Sequence, residues 1–176
     1  MNPWELHPLS VHFPISFLLG GTLLDLVTLR YRRETLSRCA AGLLLAGVCT
    51  GWIAAAAGLL AFYTVPAHTE EAHGKMYWHL GLAIASLLLF TWVAIARWRY
   101  RTSPPKLHHA VAAVCTSVLL PLTGHLGADL VYHGGVGVQP ELLSPEIREG
   151  HSHAQENGHD SEHADVDNHQ HESDHH

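Results

Sequence analysis

The 176-residue sequence predicts an all-α fold, an integral membrane four-helix up-down bundle followed by a disordered tail rich in histidine, aspartate and glutamate. Three observations lead there. Four apolar runs, at 11–29, 39–63, 76–96 and 110–132, each approach the roughly 20 residues that a helix needs to cross hydrocarbon. Basic residues gather in two of the three connections between those runs. Apolar runs then stop, and the chain from Gly150 onward is almost wholly polar.

The first run opens as "HPLSVHFPISFLLGGTLLDL", with two histidines and two prolines ahead of an otherwise apolar stretch. Its leader, "MNPWELHPLS", has no basic residue, and arginines follow the apolar stretch. That is the reverse of a secretory signal, so a retained helix is expected. The second run, "CAAGLLLAGVCTGWIAAAAGLLAFY", has no polar face to offer water, which argues against a soluble bundle. Its Gly47, Gly51 and Gly58 suit close approach of helix backbones in lipid. Trp78 at the start of the third run, and Trp98 and Tyr100 after it, fall where amphipathic rings anchor a span. The fourth run closes in "LTGHLGADLVYHGGVGV".

The connections "RYRRETLSR" and "RWRYRTSPPK" carry four basic residues each, of ten in the chain, whereas "TVPAHTEEAHGK" carries one. The positive-inside rule then turns the two arginine loops to the cytoplasm and both termini outward. The expected setting is the bacterial cytoplasmic membrane, crossed several times. The expected division is a transmembrane domain over 1–138, a linker over 139–149 and a tail over 150–176. The tail holds eight of the 17 histidines, seven acidic residues and no lysine or arginine, so the net charge of −6 belongs to it and the body is left near +1.

Several function classes drop out. Cys39, Cys49 and Cys115 lie in apolar runs without CxxC or CxxCH spacing, which excludes a disulfide framework, a zinc ribbon and covalent haem attachment. Buried, inert thiols are expected. No nucleophile–base pair or phosphate loop is visible, so no catalytic residue is assigned. An electron carrier or binding protein is expected ahead of a hydrolase or transferase. The basic residues obey topology and imply no nucleic acid.

The histidines carry the remaining signal. The expected orientation places seven of the nine body histidines, all but His108 and His109, toward the outer end. His108 and His109 are neighbours that point about 100° apart on a helix and cannot clamp one ion. Imidazole in or beside hydrocarbon is costly, which makes it a functional candidate. Haem b takes axial ligands from facing helices of a bundle, and spans one and three lie diagonally. His12 and His79 sit near helix N-termini, where the macrodipole disfavours a charged ring, and are the expected axial pair. His125 and His7 are further cofactor-binding candidates, His125 as a substitute ligand or propionate partner with Asp129 one turn beyond to orient it. Gly20, Gly21, Gly81 and Gly127 leave room for a flat cofactor or for close helix packing. Two other readings stay open: metal homeostasis, with zinc, copper or nickel on the outer histidines, and a structural subunit without a cofactor. Lipid is the expected partner, with a redox protein and a homo-oligomer as the further ones.

In the tail, His151, His153, His159, His163, His169, His171, His175 and His176 are interspersed with acids. That composition does not bury enough surface to order itself. It suits loose binding of a divalent transition metal.

The "HPLSVHFPI" opening, the histidine of "WHLGLAIASLLLF" and the "GADLVYHGGVGV" ending together resemble the bacterial membrane family called domain of unknown function 2231, over about residues 5–138. That family is similar to four-helix, diheme-type b cytochromes. The resemblance therefore implies a haem-binding electron carrier, here with His12 and His79 as ligands. His133 stands where the family pattern more usually has arginine, and the arginine-loop end offers no second ligand pair.

Overall fold

The computed structural model describes residues 3–65 and 70–137. A short 3₁₀ turn (Pro3–Glu5) leads into α1 (Leu6–Ser10), α2 (His12–Tyr31), α3 (Glu34–Thr64), α4 (Glu70–Arg99) and α5 (Leu107–Tyr132). Among the described residues four stretches are long and apolar enough to cross a membrane, the first being α1 and α2 together. Each helix outruns the apolar stretch read from the sequence, because helices continue into the polar flanks where hydropathy falls.

The prolines set the break between α1 and α2. Pro8 and Pro14 each fall in a first helical turn, where a missing N–H costs little. Pro14 has no N–H to give the carbonyl of Ser10, so the helix restarts around Val11, whose own N–H still reaches His7 O at 3.1 Å. At the far end Arg32 closes α2 in the left-handed conformation (φ 51°), donating to Thr28 O.

Consecutive helices pack side by side, α2 on α3 most extensively, then α3 on α4 and α4 on α5, with α5 returning more thinly to α2. This is the up-down bundle, and α2 and α4 lie diagonally across it. Its core is a seam of steps of three and four residues. On α2 the buried residues include Pro14, Leu18, Gly21, Asp25 and Thr28. On α3 they include Ser37, Ala40, Leu44, Gly47, Gly51 and Ala54. The α2–α3 contact is tight at two reciprocal points. A Cβ on Gly21 would sit 3.0 Å from the backbone nitrogen of Leu44, and one on Gly47 3.0 Å from that of Leu18.

The three cysteines, expected inside, are exposed on the bundle surface and unpaired. Where lipid replaces water outside the bundle, a small apolar side chain gains nothing by turning inward. Trp78, Trp98 and Tyr100 are exposed as interface anchors should be.

At the end of the bundle that carries the arginine loops, a charged pair is fully enclosed. Arg97 of α4 meets Asp25 of α2 in a bidentate contact, Nε to Oδ2 at 2.7 Å and Nη2 to Oδ1 at 2.9 Å, with both side chains 1% exposed. Arg97 Nη2 also donates to Ser37 Oγ of α3 at 3.0 Å, and Nη1 to the carbonyls of Tyr100 and Ser103. Ser37 Oγ in turn donates to Ser103 O. Three helices and the α4–α5 connection are thus tied through one guanidinium. Removing one partner leaves a buried charge uncompensated, so Arg97→Ala or Asp25→Ala alone is expected to lower unfolding stability in detergent by about 3–5 kcal/mol. The double change Asp25→Leu with Arg97→Met is expected to recover most of that loss.

Candidate functional site

At the opposite end of the bundle two of the imidazoles lie close to each other. His7 projects from α1 and its Nδ1 lies 2.9 Å from Ala54 O of α3. His79 projects from α4 and its Nδ1 lies 3.0 Å from Thr123 O of α5. The ring centroids are 6.1 Å apart and the ring planes nearly perpendicular, at 88°. A carbonyl oxygen can only accept, so each Nδ1 carries the proton and the neutral ring keeps its lone pair on Nε2. Neither Nε2 has a hydrogen-bond partner among the described residues.

Both seats are built the same way. Each ring bonds a carbonyl on the neighbouring helix and lies against the glycine four residues further along it. A Cβ on Gly58 would sit 2.8 Å from His7 Nδ1, and one on Gly127 3.1 Å from His79 Cε1. Ala54 pairs with Gly58, and Thr123 with Gly127.

The sequence-predicted residues separate cleanly. His79 is in the site and His7 is its neighbour, whereas His12 is exposed and makes no ring contact, ion pair or hydrogen bond among the described residues. The reason is helical geometry. His7 and His12 are five residues apart, about 140° around a helix, so both cannot face the core. Counting back along the buried seam of α2 from Thr28, Asp25, Gly21, Leu18 and Pro14 in steps of three and four arrives at His7 and misses His12. On α4 the same steps join Met76, His79, Ser86, Phe90, Val93 and Arg97, which identifies His79 as core-facing. The spacing of three and four residues carries this azimuth, which the length of an apolar run does not.

His125 is also exposed and off the seam of α5. Asp129, expected to orient it, instead contacts Lys75 Nζ at 2.8 Å and His133 Nδ1 at 2.6 Å, bracing α4 to α5. His73 packs on Phe62 and Tyr77. His109 is buried against Trp92 at the arginine end, with His108 beside it. Of the glycines, Gly21 serves helix packing, Gly127 seats His79, and Gly20 and Gly81 confront no side chain closely. His68 and the eight tail histidines lie outside the described residues.

The donor set can be tested for fit. Metal–nitrogen bonds of about 2.0–2.1 Å place two imidazoles on one ion with centroids about 5–6.5 Å apart, which includes the observed 6.1 Å. A ligating histidine characteristically gives its other ring N–H to a carbonyl or carboxylate, as both do here. Structural zinc takes four protein ligands and catalytic zinc three. Among the described residues no group of three His, Cys, Asp or Glu stands ready for a metal. Haem brings four nitrogens of its own and asks the protein for two axial ligands. Two imidazoles match the number of protein ligands that haem iron takes and fall short of the number that bare zinc takes. Trp4, one turn ahead of His7, adds a buried indole N–H with no partner among the described residues, a donor suited to a carboxylate.

A model of the family described as "Predicted membrane protein (DUF2231)" matches residues 3–140. The chain belongs to this family. The DUF2231 match takes in all the helices described above and both imidazole seats. No curated protein and no solved structure matches the chain.

Overpacking a filled site costs about 1–3 kcal/mol. Gly58→Leu and Gly127→Leu are each expected to lower the thermal stability of the detergent-solubilised protein by that order. Gly81→Leu, where an added Cβ meets nothing within 4 Å, is expected to leave it close to wild type.

Proposed function

We propose that this DUF2231 protein binds one b-type haem between His7 and His79 and serves electron transfer or redox sensing in the bacterial cytoplasmic membrane. The observation that supports the reading is the pair of Nδ1-anchored imidazoles, whose ring centroids lie 6.1 Å apart and whose Nε2 atoms have no hydrogen-bond partner among the described residues. Bound haem supplies a one-electron couple. The protein's part is to fix both rings by backbone hydrogen bonds, so that little reorganises when iron changes charge, and to surround them with apolar helix. Placing the imidazole end outside follows from the arginine loops at the other end. A redox protein on that outer face is the expected partner. The tail's histidines, with their interspersed acids, act as a separate and weaker collector of divalent metal.

Metal homeostasis is the rival reading. It needs at least one more protein ligand than the two rings supply, and none accompanies them among the described residues. Absorption spectra of membranes and of the purified protein decide between the two. The expected result is a Soret band that sharpens on dithionite reduction. It should be lost in His7→Ala and in His79→Ala and kept in His12→Ala and His125→Ala. A colourless protein, or a band that survives loss of both His7 and His79, overturns the haem reading. Colourless protein that takes up stoichiometric zinc or copper after deletion of 150–176 supports the rival.

A further inference from the structure

The contact between α5 and α2 is the thinnest in the ring of helices. Toward the arginine end the two helices part around an open groove of about 160 Å³. Leu26 and Leu29 form one wall, and Leu107, Val111, Val114 and Cys115 the other. Every one of these side chains is apolar or a thiol. At the arginine end each wall finishes beside a cation: Arg30 follows Leu29, and Lys106 precedes Leu107. Both cations are exposed. Arg30 lies over the Tyr31 ring and Lys106 over that of Tyr100, at 5.7 and 5.0 Å. Neither forms an ion pair among the described residues. The acids at this end are already engaged, Asp25 by Arg97 and Glu34 by Arg38.

A hydrocarbon slot that opens sideways into the bilayer and ends at two available cations has the charge and polarity pattern of one kind of lipid. We propose that the α2–α5 groove is a binding site for an anionic phospholipid, with an acyl chain along the leucine and valine walls and the phosphate at Arg30 and Lys106. A filled groove recovers the dispersion contacts that a gap between helices forfeits. Cationic pockets at helix ends recognise anionic headgroups. A second copy of the chain in the same orientation would bring its own arginine end to the same level, where like charges oppose. The site is remote in sequence and in the bundle from the imidazoles and does not depend on the haem reading.

The test uses full-length protein reconstituted in bilayers of phosphatidylethanolamine with phosphatidylglycerol, then released into mild detergent for native mass spectrometry. Wild type is expected to retain phosphatidylglycerol in preference to phosphatidylethanolamine. Arg30→Gln with Lys106→Gln should weaken that retention by about thirtyfold, two surface cations being lost. Arg99→Gln with Arg101→Gln removes equal charge elsewhere at the same end and should leave retention unchanged. Val114→Trp fills the groove, keeps both cations and should abolish retention. The proposal is overturned if wild type holds the two lipids equally, or if both charge variants lose the lipid to the same degree. Retention that persists in Val114→Trp, or is competed away by inorganic phosphate, also overturns it, since the groove then plays no part. So does efficient oxidative cross-linking of Cys115 to Cys115 between copies in those bilayers, which would make the groove a protein interface.

Discussion

The buried pair of Asp25 and Arg97 is the interaction on which the rest of the bundle depends. Around a helix bundle in lipid there is no water to solvate a stray charge or an unpaired N–H, so every polar group in the core must be answered from inside. Arg97 answers Asp25 with two hydrogen bonds and spends its remaining donors on Ser37 and on the connection into α5. One side chain thereby fixes the register of α2, α3 and α4 at one end. With that register set, the same seam of small and polar residues runs to the other end. Its last members are glycines on α3 and α5, and imidazoles on α1 and α4.

The same rule acts on the imidazoles with a different outcome. Each ring has one donor and one acceptor when neutral, and the backbone of the adjacent helix satisfies only the donor. The glycines make room for this, because a Cβ at Gly58 would meet the His7 ring at 2.8 Å and one at Gly127 would press on the His79 ring at 3.1 Å. Among the described residues an acceptor nitrogen on each ring stays unanswered, duplicated on two helices that lie diagonally in the bundle. The described core thus pairs its charges at one end and leaves two acceptor nitrogens unpaired at the other.

Much of this architecture was legible in the sequence. The apolar lengths gave the helix number, and the chain order with short connections gave the up-down arrangement. The two arginine clusters marked one end as distinct. The pairing of Asp25 with Arg97 is not legible there, because Arg97, at the last turn of α4, belongs at once to the buried seam and to an arginine-rich connection. His79 was legible because its depth and azimuth agree. That His7 and not His12 faces the core is less legible, because apolar runs report depth, while azimuth emerges only when buried positions are counted in steps of three and four. The cysteines show the converse limit. In lipid, apolar character no longer distinguishes inside from outside, so the composition of a span does not say which of its faces is buried.

The central claim is that His7 and His79 are held as the same uncommon tautomer, with hydrogen on Nδ1 and the lone pair on Nε2. Nitrogen-15 NMR of the protein with no cofactor added, labelled in both imidazole nitrogens and held well above about pH 6.5, where free imidazole titrates, reads this directly. Two rings, assigned by their loss in His7→Gln and His79→Gln, should each show a protonated Nδ1 and an unprotonated Nε2. If either ring instead carries its hydrogen on Nε2, the backbone anchors are not formed as described and the paired lone pairs do not exist.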